Sequence, residues 1–148
     1  MKLVDITKDN WLKTVLLTTN KNGKATVIEE FVASNALSIV QSVFETGWIT
    51  KGIEVEDKLI GFAMYGFDGE TSNYWICRLM IDHTAQGKGY GKEAIGLILE
   101  EIKQMEGCDA IYLSTEPENE KAIKLYESFG FVKTGQVNEG EAEMVLQL

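Results

Sequence analysis

The sequence predicts a mixed α/β fold, in which helices flank a mostly antiparallel sheet that contains one parallel pair of strands. Three strand-like runs joined by short polar turns are typical of an antiparallel meander, and they lie at residues 49–55, 59–67 and 74–81. A helical run at 94–105 links the last of them to a strand-like run at 110–114, so these two strands should be parallel. Of the 148 residues, 45% are hydrophobic, enough for one core, and we predict a single domain over residues 1–148.

Short runs of both kinds precede the meander. Residues 3–6 are predicted to form a strand, and residues 10–17 a short helix with apolar members Trp11, Val15 and Leu16. Apolar residues then keep helical spacing at Val27, Ile28, Phe31 and Val32. A further helix follows Ser34 and Asn35, and its apolar residues are predicted to face inward: Leu37, Val40, Val43 and Phe44.

Two amphipathic helices and two short strands are predicted in the second half of the chain. The helix at 94–105 has one buried face, formed by Ile95, Ile98, Leu99, Ile102 and Met105. The helix at 119–129 is stopped by Gly130, and its apolar residues are Ala122, Leu125, Tyr126 and Phe129. Residues 131–134 and 143–146 are the strands that complete the sheet.

The charge balance narrows the classes of partner. A formal net charge of −9 argues against nucleic acid or an anionic membrane surface and would attract a small cationic substrate. No segment approaches the roughly 20 apolar residues of a membrane span, and the N-terminus lacks a long apolar stretch. We therefore expect a cytoplasmic protein with no membrane partner.

Cysteine and histidine usage indicates neither a disulfide framework nor a metal site. Cys77 lies within an apolar strand pattern and Cys108 just after a helix, so both are expected to be free thiols. His83 is the one histidine, and no set of metal ligands with recognisable spacing can be assembled around it. We expect no metal and assign His83 to a turn.

A glycine-rich segment, Gln-Gly-Lys-Gly-Tyr-Gly at residues 86–91, lies between a predicted strand and a predicted helix. Alternating glycines let the backbone adopt left-handed angles and point its N–H groups at an anion. The helix adds unpaired N–H groups and the positive end of its dipole. The segment predicts a site for a pyrophosphate-bearing cofactor, and a glycine-rich turn without a ligand is the alternative.

Two common phosphate-binding motifs do not fit this segment. A dinucleotide fingerprint requires glycine where Lys92 stands. A Walker loop ending at Lys92 requires glycine in place of Gln86 and Ser or Thr in place of Glu93. The remaining pattern, Gln-x-x-Gly-x-Gly, resembles the acyl-CoA pyrophosphate loop of the GNAT superfamily of N-acetyltransferases.

The order of the predicted elements and residues 119–131 (Asn-Glu-Lys-Ala-Ile-Lys-Leu-Tyr-Glu-Ser-Phe-Gly-Phe) also resemble this superfamily, over nearly the whole chain. The resemblance implies the GNAT acyl-CoA N-acyltransferase fold, in which the central parallel strands splay apart, here at 79–81 and 111–114, and acetyl-CoA lies in the opening. It implies that the following residues contact acetyl-CoA: Leu79, Met80, Ile81, Gln86, Gly87, Lys88, Gly89, Tyr90, Gly91, Lys92 and Asn119.

A narrower resemblance is to bacterial spermine/spermidine (diamine) acetyltransferases, and it is carried by residues 31–35, 61–66 and 78–82. It implies a small cationic amine as substrate. Glu29 and Glu30 are our candidates for binding its cationic chain, because the helical pattern leaves these acids near the predicted substrate mouth. A solvated helix face is the alternative interpretation of these two residues.

The resemblance also implies a catalytic role for Tyr126 as general acid to the departing CoA thiolate, whereas a core aromatic is the alternative. The proton acceptor stays open, because Cys77 stands where family members often carry an acidic residue. Its candidates are Glu29, Glu30, Asp82 and Glu143.

The sequence leaves several functions open within and outside this class. The same reaction on an amino acid, a small drug-like amine or a peptide N-terminus is one alternative. A non-catalytic acyl-CoA-binding module is another. The oligomeric state is also open, with a homodimer as one option.

Overall fold

A seven-stranded sheet organises the chain in the computed structural model, which describes residues 1–25, 29 and 34–148. Its strands are β1 (Lys2–Asp5), β2 (Trp48–Val55), β3 (Lys58–Asp68), β4 (Asn73–Ile81), β5 (Ala110–Thr115), β6 (Val132–Asn138) and β7 (Glu141–Gln147). The order in the sheet is β1-β2-β3-β4-β5-β7-β6. Neighbours are antiparallel except for the parallel pair β4 and β5. The predicted mixed fold and meander are confirmed.

Helices cover both faces of this sheet: α1 (Trp11–Val15), α2 (Asn35–Phe44), α3 (Tyr90–Ile102) and α4 (Glu120–Glu127). The larger core includes Ile95, Ile98 and Ile102 of α3, all fully buried as the periodicity predicts. A smaller core on the other face is built on Phe62 and Met64 of β3. No helix among the described residues is long and apolar enough to cross a membrane.

The prediction that the apolar stripe of α2 faces inward is wrong. The four residues of this stripe are exposed: Leu37, Val40, Val43 (74%) and Phe44 (82%). Asn35 and Ser38 are buried instead. The Asn35 amide donates to the carbonyl oxygens of Thr14 at 2.9 Å and Leu17 at 3.4 Å, which turns that face toward α1. Helical spacing identifies an apolar stripe, but a buried hydrogen bond decided which side packs.

We expect Asn35→Ala to lower the free energy of unfolding by about 1–3 kcal/mol, because it removes the donor from a buried carbonyl. Urea titration of the folded protein measures this. Asn73→Ala is the matched control, since it removes an exposed amide-to-carbonyl hydrogen bond to Thr71. Equal losses in the two variants would contradict the role given to Asn35.

The parallel pair separates soon after it forms. Pairing between β4 and β5 is confined to Tyr74 with Ile111 and Trp75 with Tyr112. Beyond these pairs β4 continues to Ile81, and β5 continues while hydrogen-bonded to β7 on its other side. The splayed pair is therefore present, but the opening starts one strand position past Tyr112. Residues 111 and 112, predicted to lie in the opening, are paired.

A β-bulge interrupts β4 at the start of the opening. Arg78 lies opposite Met64, and Ile76 lies opposite Tyr65, so Cys77 is the extra residue. A bulge bends a strand and increases its twist. It therefore helps to turn β4 away from β5.

Several element boundaries differ from the predictions. The helix after the glycine turn begins at Tyr90 instead of residue 94 and ends at Ile102. The first and last helices are shorter than predicted, and β6 and β7 are longer. The predicted helical spacing at Val27, Ile28, Phe31 and Val32 lies outside the described residues, as does Glu30.

Candidate active site

A cavity of about 750 Å³ occupies the opening between β4 and β5. Residues 75–80 of β4 form one wall, and residues 113–116 and 118 form the other. The start of α4, the hairpin between β6 and β7, and Asn35 of α2 complete the lining. Its volume is within the range of small-molecule sites.

The glycine turn lies between β4 and α3 and presents unpaired backbone donors. Gly87 and Gly89 have φ values of 80° and 84°, in the left-handed region that favours glycine. Lys92 and Glu93 donate to the Gly89 carbonyl and start the helix. In the described part of the chain, the N–H groups of residues 87–91 find no acceptor.

The turn is also open. A β-carbon at any of its three glycines would meet no atom of the described residues within 4 Å, so an anion can approach the backbone closely. In the part of the chain that the structure describes, no side chain caps the start of α3. These features fit a pyrophosphate group. Gly91 lies in the first helical turn and does not need a left-handed angle.

Gln86, predicted to contact the pyrophosphate, has a structural contact. Its Nε2 donates to the carbonyl of Ile81 at 2.9 Å. This bond joins the turn to the end of β4. It therefore holds the unpaired N–H groups next to the opening of the sheet.

The structure brings some predicted site residues together in the cavity and leaves others outside it. Leu79, Met80, Asn119 and Tyr126 all line it. Ile81 and residues 86–92 lie outside the described lining, although they follow β4 directly. Asn119 also caps α4, because its Oδ1 accepts from the Ala122 N–H at 3.1 Å.

Tyr126 projects from α4 into the cavity, and its ring makes an edge-on contact with Phe131 at 6.1 Å between centroids. Burial raises the pKa of Tyr126, and the negative charge of Glu141 raises it further. The hydroxyl therefore stays protonated at neutral pH. A proton donor requires this state.

The bulged strand places a thiol and a guanidinium in the cavity wall. Arg78 Nη1 donates to the Cys77 carbonyl at 2.7 Å and lies 3.1 Å from Cys77 Sγ. Burial raises the pKa of Cys77, although the charge of Arg78 opposes this. Cys77 is thus a neutral thiol at neutral pH. Cys77 and Cys108 are both free, as predicted.

Sequence analysis missed most of the acidic groups in the cavity. Five glutamates line it: Glu116, Glu118, Glu139, Glu141 and Glu143. Of these five, only Glu143 is among the proton acceptors proposed from the sequence. Glu139 and Gly140 have φ values of 51° and 86°, which makes a two-residue hairpin turn. The Glu-Gly pair was the signal that would have extended β7 to Glu141.

Glu29, a predicted substrate contact, lies outside the described cavity lining. Its carboxylate accepts from Thr18 Oγ1 at 2.6 Å and from the Thr19 N–H. Burial works to raise the pKa of Glu29, but these hydrogen bonds hold it below its usual value. The structure thus gives Glu29 a role in ordering the loop at 18–19. Its role in substrate binding, like that of Glu30, stays a prediction.

Asp82 anchors the same loop to the end of β4. It accepts from the N–H of Thr18 at 3.1 Å and of Thr84 at 3.0 Å. Burial works to raise the pKa of Asp82, but the bonds from Thr84 and Thr18 lower it below 3.8. The ionised carboxylate is therefore the form that stabilises the fold.

Asp82→Asn should lower the free energy of unfolding by about 0.5–1.5 kcal/mol at pH 7. Because the pKa is lower in the folded state, wild type keeps this advantage above about pH 5 and loses it as the pH falls below 3.8. Urea titrations at pH 7 and pH 3 measure the difference. Asp57→Asn, whose side chain is 97% exposed, is the control. A difference that is independent of pH would contradict the prediction.

Comparison with known proteins agrees with this geometry. The model of the acetyltransferase (GNAT) family matches residues 20–131. The spermine/spermidine N(1)-acetyltransferase of Bacillus subtilis (strain 168) is 32% identical over 142 residues, covering 86% of this chain and 93% of that protein. N-alpha-acetyltransferase 30 of Saccharomyces cerevisiae is 35% identical over 80 residues, covering 50% of this chain and 45% of that protein.

Solved structures share the fold. The spermidine N-acetyltransferase from Vibrio cholerae in complex with CoA and spermine superposes with a TM-score of 0.72 at 18% identity, over 99% of this chain and 94% of that one. The ribosomal-protein-S18-alanine N-acetyltransferase from Escherichia coli superposes with a TM-score of 0.73 at 14% identity, over 99% of this chain and 92% of that one. The family resemblance and the enzyme class inferred from the sequence are confirmed. The chain belongs to the GNAT family of acetyltransferases.

Proposed function

We propose that this protein transfers an acetyl group from acetyl-CoA to a primary amine of a polyamine such as spermidine or spermine. The observation that carries this proposal is the acidic lining of the cavity, where five glutamates face one basic residue, Arg78, among the described residues. A polycation gains Coulomb energy from such a wall. The identity to the Bacillus subtilis spermine/spermidine acetyltransferase supports the same class of substrate.

The acetyl-CoA half of the proposal is supported by the glycine turn and the exposed edge of β4. The N–H groups of residues 87–91 suit a pyrophosphate. Among the described residues, 79–81 have no strand partner on the side of β5, so their backbone can pair with an extended ligand. Asn119 lines the cavity where α4 begins. The bound thioester would supply the activated acetyl group.

The residues of the cavity suit direct attack by the amine. A primary ammonium group has a pKa of about 10.4, so an amine must lose a proton before it attacks. Tyr126 stays protonated at neutral pH and lines the cavity, which suits a donor to the leaving thiolate. A backbone N–H of the unpaired β4 edge can stabilise charge on the thioester oxygen.

A panel of amines assayed for CoA release tests the proposal. We expect spermidine and spermine to show a higher kcat/KM than monoamines, amino acids and a peptide N-terminus. Salt should reduce this preference, because exposed charges are screened over about 8 Å at physiological ionic strength. A neutral or zwitterionic acceptor that is preferred at low and high salt would refute the polyamine assignment. Acetyl-CoA binding without turnover on any amine would favour the non-catalytic module.

The double replacement Glu116→Gln, Glu118→Gln should raise KM for spermidine about 3- to 10-fold, with a smaller change for a monoamine, because two exposed charges are removed. Glu29→Gln tests the residue predicted from the sequence. Glu100→Gln, on an exposed part of α3 outside the cavity, is the control. A change in KM that follows only the number of charges removed, two in the double variant and one in each single variant, would mean that net charge, and not the cavity wall, sets the preference.

A further inference from the structure

One carboxylate in the cavity, Glu141, is held in a defined position by its place in the sheet. Glu141 is the first residue of β7 and pairs with Asn138, the last residue of β6. The two residues between them form a hairpin turn with both φ angles positive, a geometry that matches the twist of paired strands. The carboxylate therefore comes from a paired strand and not from the tip of the loop.

Ser114 fixes the direction of the Glu141 side chain. The Ser114 hydroxyl donates a hydrogen bond to the Glu141 carboxylate. Ser114 lies on β5 two residues beyond Tyr112, where pairing with β4 stops. Both side chains line the cavity. The bond thus holds the carboxylate at the point where the two central strands separate.

Glu141 is also within electrostatic reach of both sides of the opening. After burial, its charge is the cause of the raised pKa of Tyr126 on α4, and it adds, after the charges of Asp68 and Glu45, to the raised pKa of Cys77 on the bulge of β4. Glu116, Glu118 and Glu139 are exposed, whereas Glu141 is half-buried. Glu143 is half-buried as well, but the Ser114 hydroxyl donates to Glu141. Glu141 is therefore the half-buried carboxylate of the cavity that is held by Ser114 and whose charge acts on Tyr126.

We propose that Glu141 is a catalytic residue that accepts the proton which the substrate ammonium loses, with Ser114 as a positioning residue. This inference rests on the proposed acetyl transfer and holds for any primary amine. An N–H bond of the ammonium breaks and its proton moves to the carboxylate. The freed lone pair forms the C–N bond to the thioester carbonyl carbon, and the C–S bond breaks with its electron pair on sulfur.

The remaining protons balance through Tyr126 and solvent. Tyr126 gives its proton to the thiolate and is reprotonated by the second proton that the nitrogen loses. The proton on Glu141 leaves to solvent. Overall, the ammonium and the thioester react to give an amide, a thiol and one proton.

Glu141→Gln tests this step, because the amide keeps an acceptor for the Ser114 hydroxyl but cannot take the proton. Single-turnover acetylation of the best amine of the panel is expected to fall roughly 100-fold at pH 7. The deficit should shrink as the pH rises toward the amine pKa of about 10.4, because solution then supplies the neutral amine. Affinity for acetyl-CoA, measured by calorimetry, should be unchanged.

The pH profile is interpretable because the other titratable or charged groups that line the cavity are known. Cys77 on β4 is one, and the rest are Arg78, Glu116, Glu118, Tyr126, Glu139 and Glu143. The raised pKa of Tyr126 keeps the proton donor intact over most of this range. Ser114→Ala should give a smaller loss, about 3- to 10-fold in kcat, with the same dependence on pH.

The outcomes separate this inference from the proposed function. A wild-type protein that acetylates no amine overturns both. An active wild type with Glu141→Gln at full rate, or with a deficit that is independent of pH, overturns the role of Glu141 alone. If the single-turnover rate falls by this amount in Glu143→Gln and not in Glu141→Gln, Glu143 is the proton acceptor and the role of Glu141 is overturned. Glu100→Gln should behave as wild type throughout.

Discussion

Tyr126→Phe should lower kcat about 10- to 1,000-fold while acetyl-CoA affinity stays nearly unchanged. The change removes one oxygen from a ring that also packs against Phe131, so the contact between rings is kept. The loss falls at or below the usual range for acid–base groups, because a thiol with a pKa near 8.5 does not strongly require protonation as it leaves. Pre-steady-state acetylation with spermidine and acetyl-CoA measures the chemical step.

Tyr74→Phe is the matched control for this experiment. The Tyr74 hydroxyl donates to the Glu106 carbonyl at 2.8 Å, and Tyr74 lies outside the described lining of the cavity. Its removal should leave kcat near the wild-type value. If the chemical step limits turnover and the Tyr126→Phe enzyme is still as fast as wild type, Tyr126 would be a packing residue only.

Gly89→Asp should weaken acetyl-CoA binding about 100-fold. Gly89 has a φ of 84° and precedes the first residue of α3, so aspartate adds strain and places a negative charge beside the unpaired N–H groups. A new β-carbon would lie more than 4 Å from every described atom outside the turn, so the rest of the fold should be unaffected. Isothermal titration calorimetry measures the affinity, and circular dichroism checks the fold.

Gly107→Asp controls for the strain. Gly107 has a φ of 73° and is equally open, but it lies beyond the other end of α3. Gly89→Ala separates strain from charge at the turn itself. Wild-type affinity in a folded Gly89→Asp protein would remove the assignment of this turn to the pyrophosphate.

Local patterns in the sequence were sufficient for the elements of the fold. The meander and the parallel pair follow from the order of adjacent segments, the buried face of α3 follows from spacing within one segment, and the structure confirms all three. The turn at 86–91 was found in the same way, because glycines at fixed positions are needed wherever a backbone takes left-handed angles. Its left-handed residues proved to be Gly87 and Gly89.

The buried side of α2 shows where local spacing fails. Apolar residues at positions 37, 40, 43 and 44 form a stripe at helical spacing, yet they are exposed. Asn35 is buried because carbonyl groups of residues 14 and 17 lie within reach of its amide. Those acceptors belong to another segment, so no pattern within α2 contains them.

The sequence alone therefore determined the family, the strand and helix types and the glycine turn at 86–91, because these depend on the order and spacing of neighbouring residues. Tertiary structure decided where the sheet opens and which acids face the opening. Strand β7 inserts between β5 and β6, and this order brings Glu141 to Ser114 across 27 positions of sequence. Sheet order and register set such distances, and both result from the packing of the whole chain.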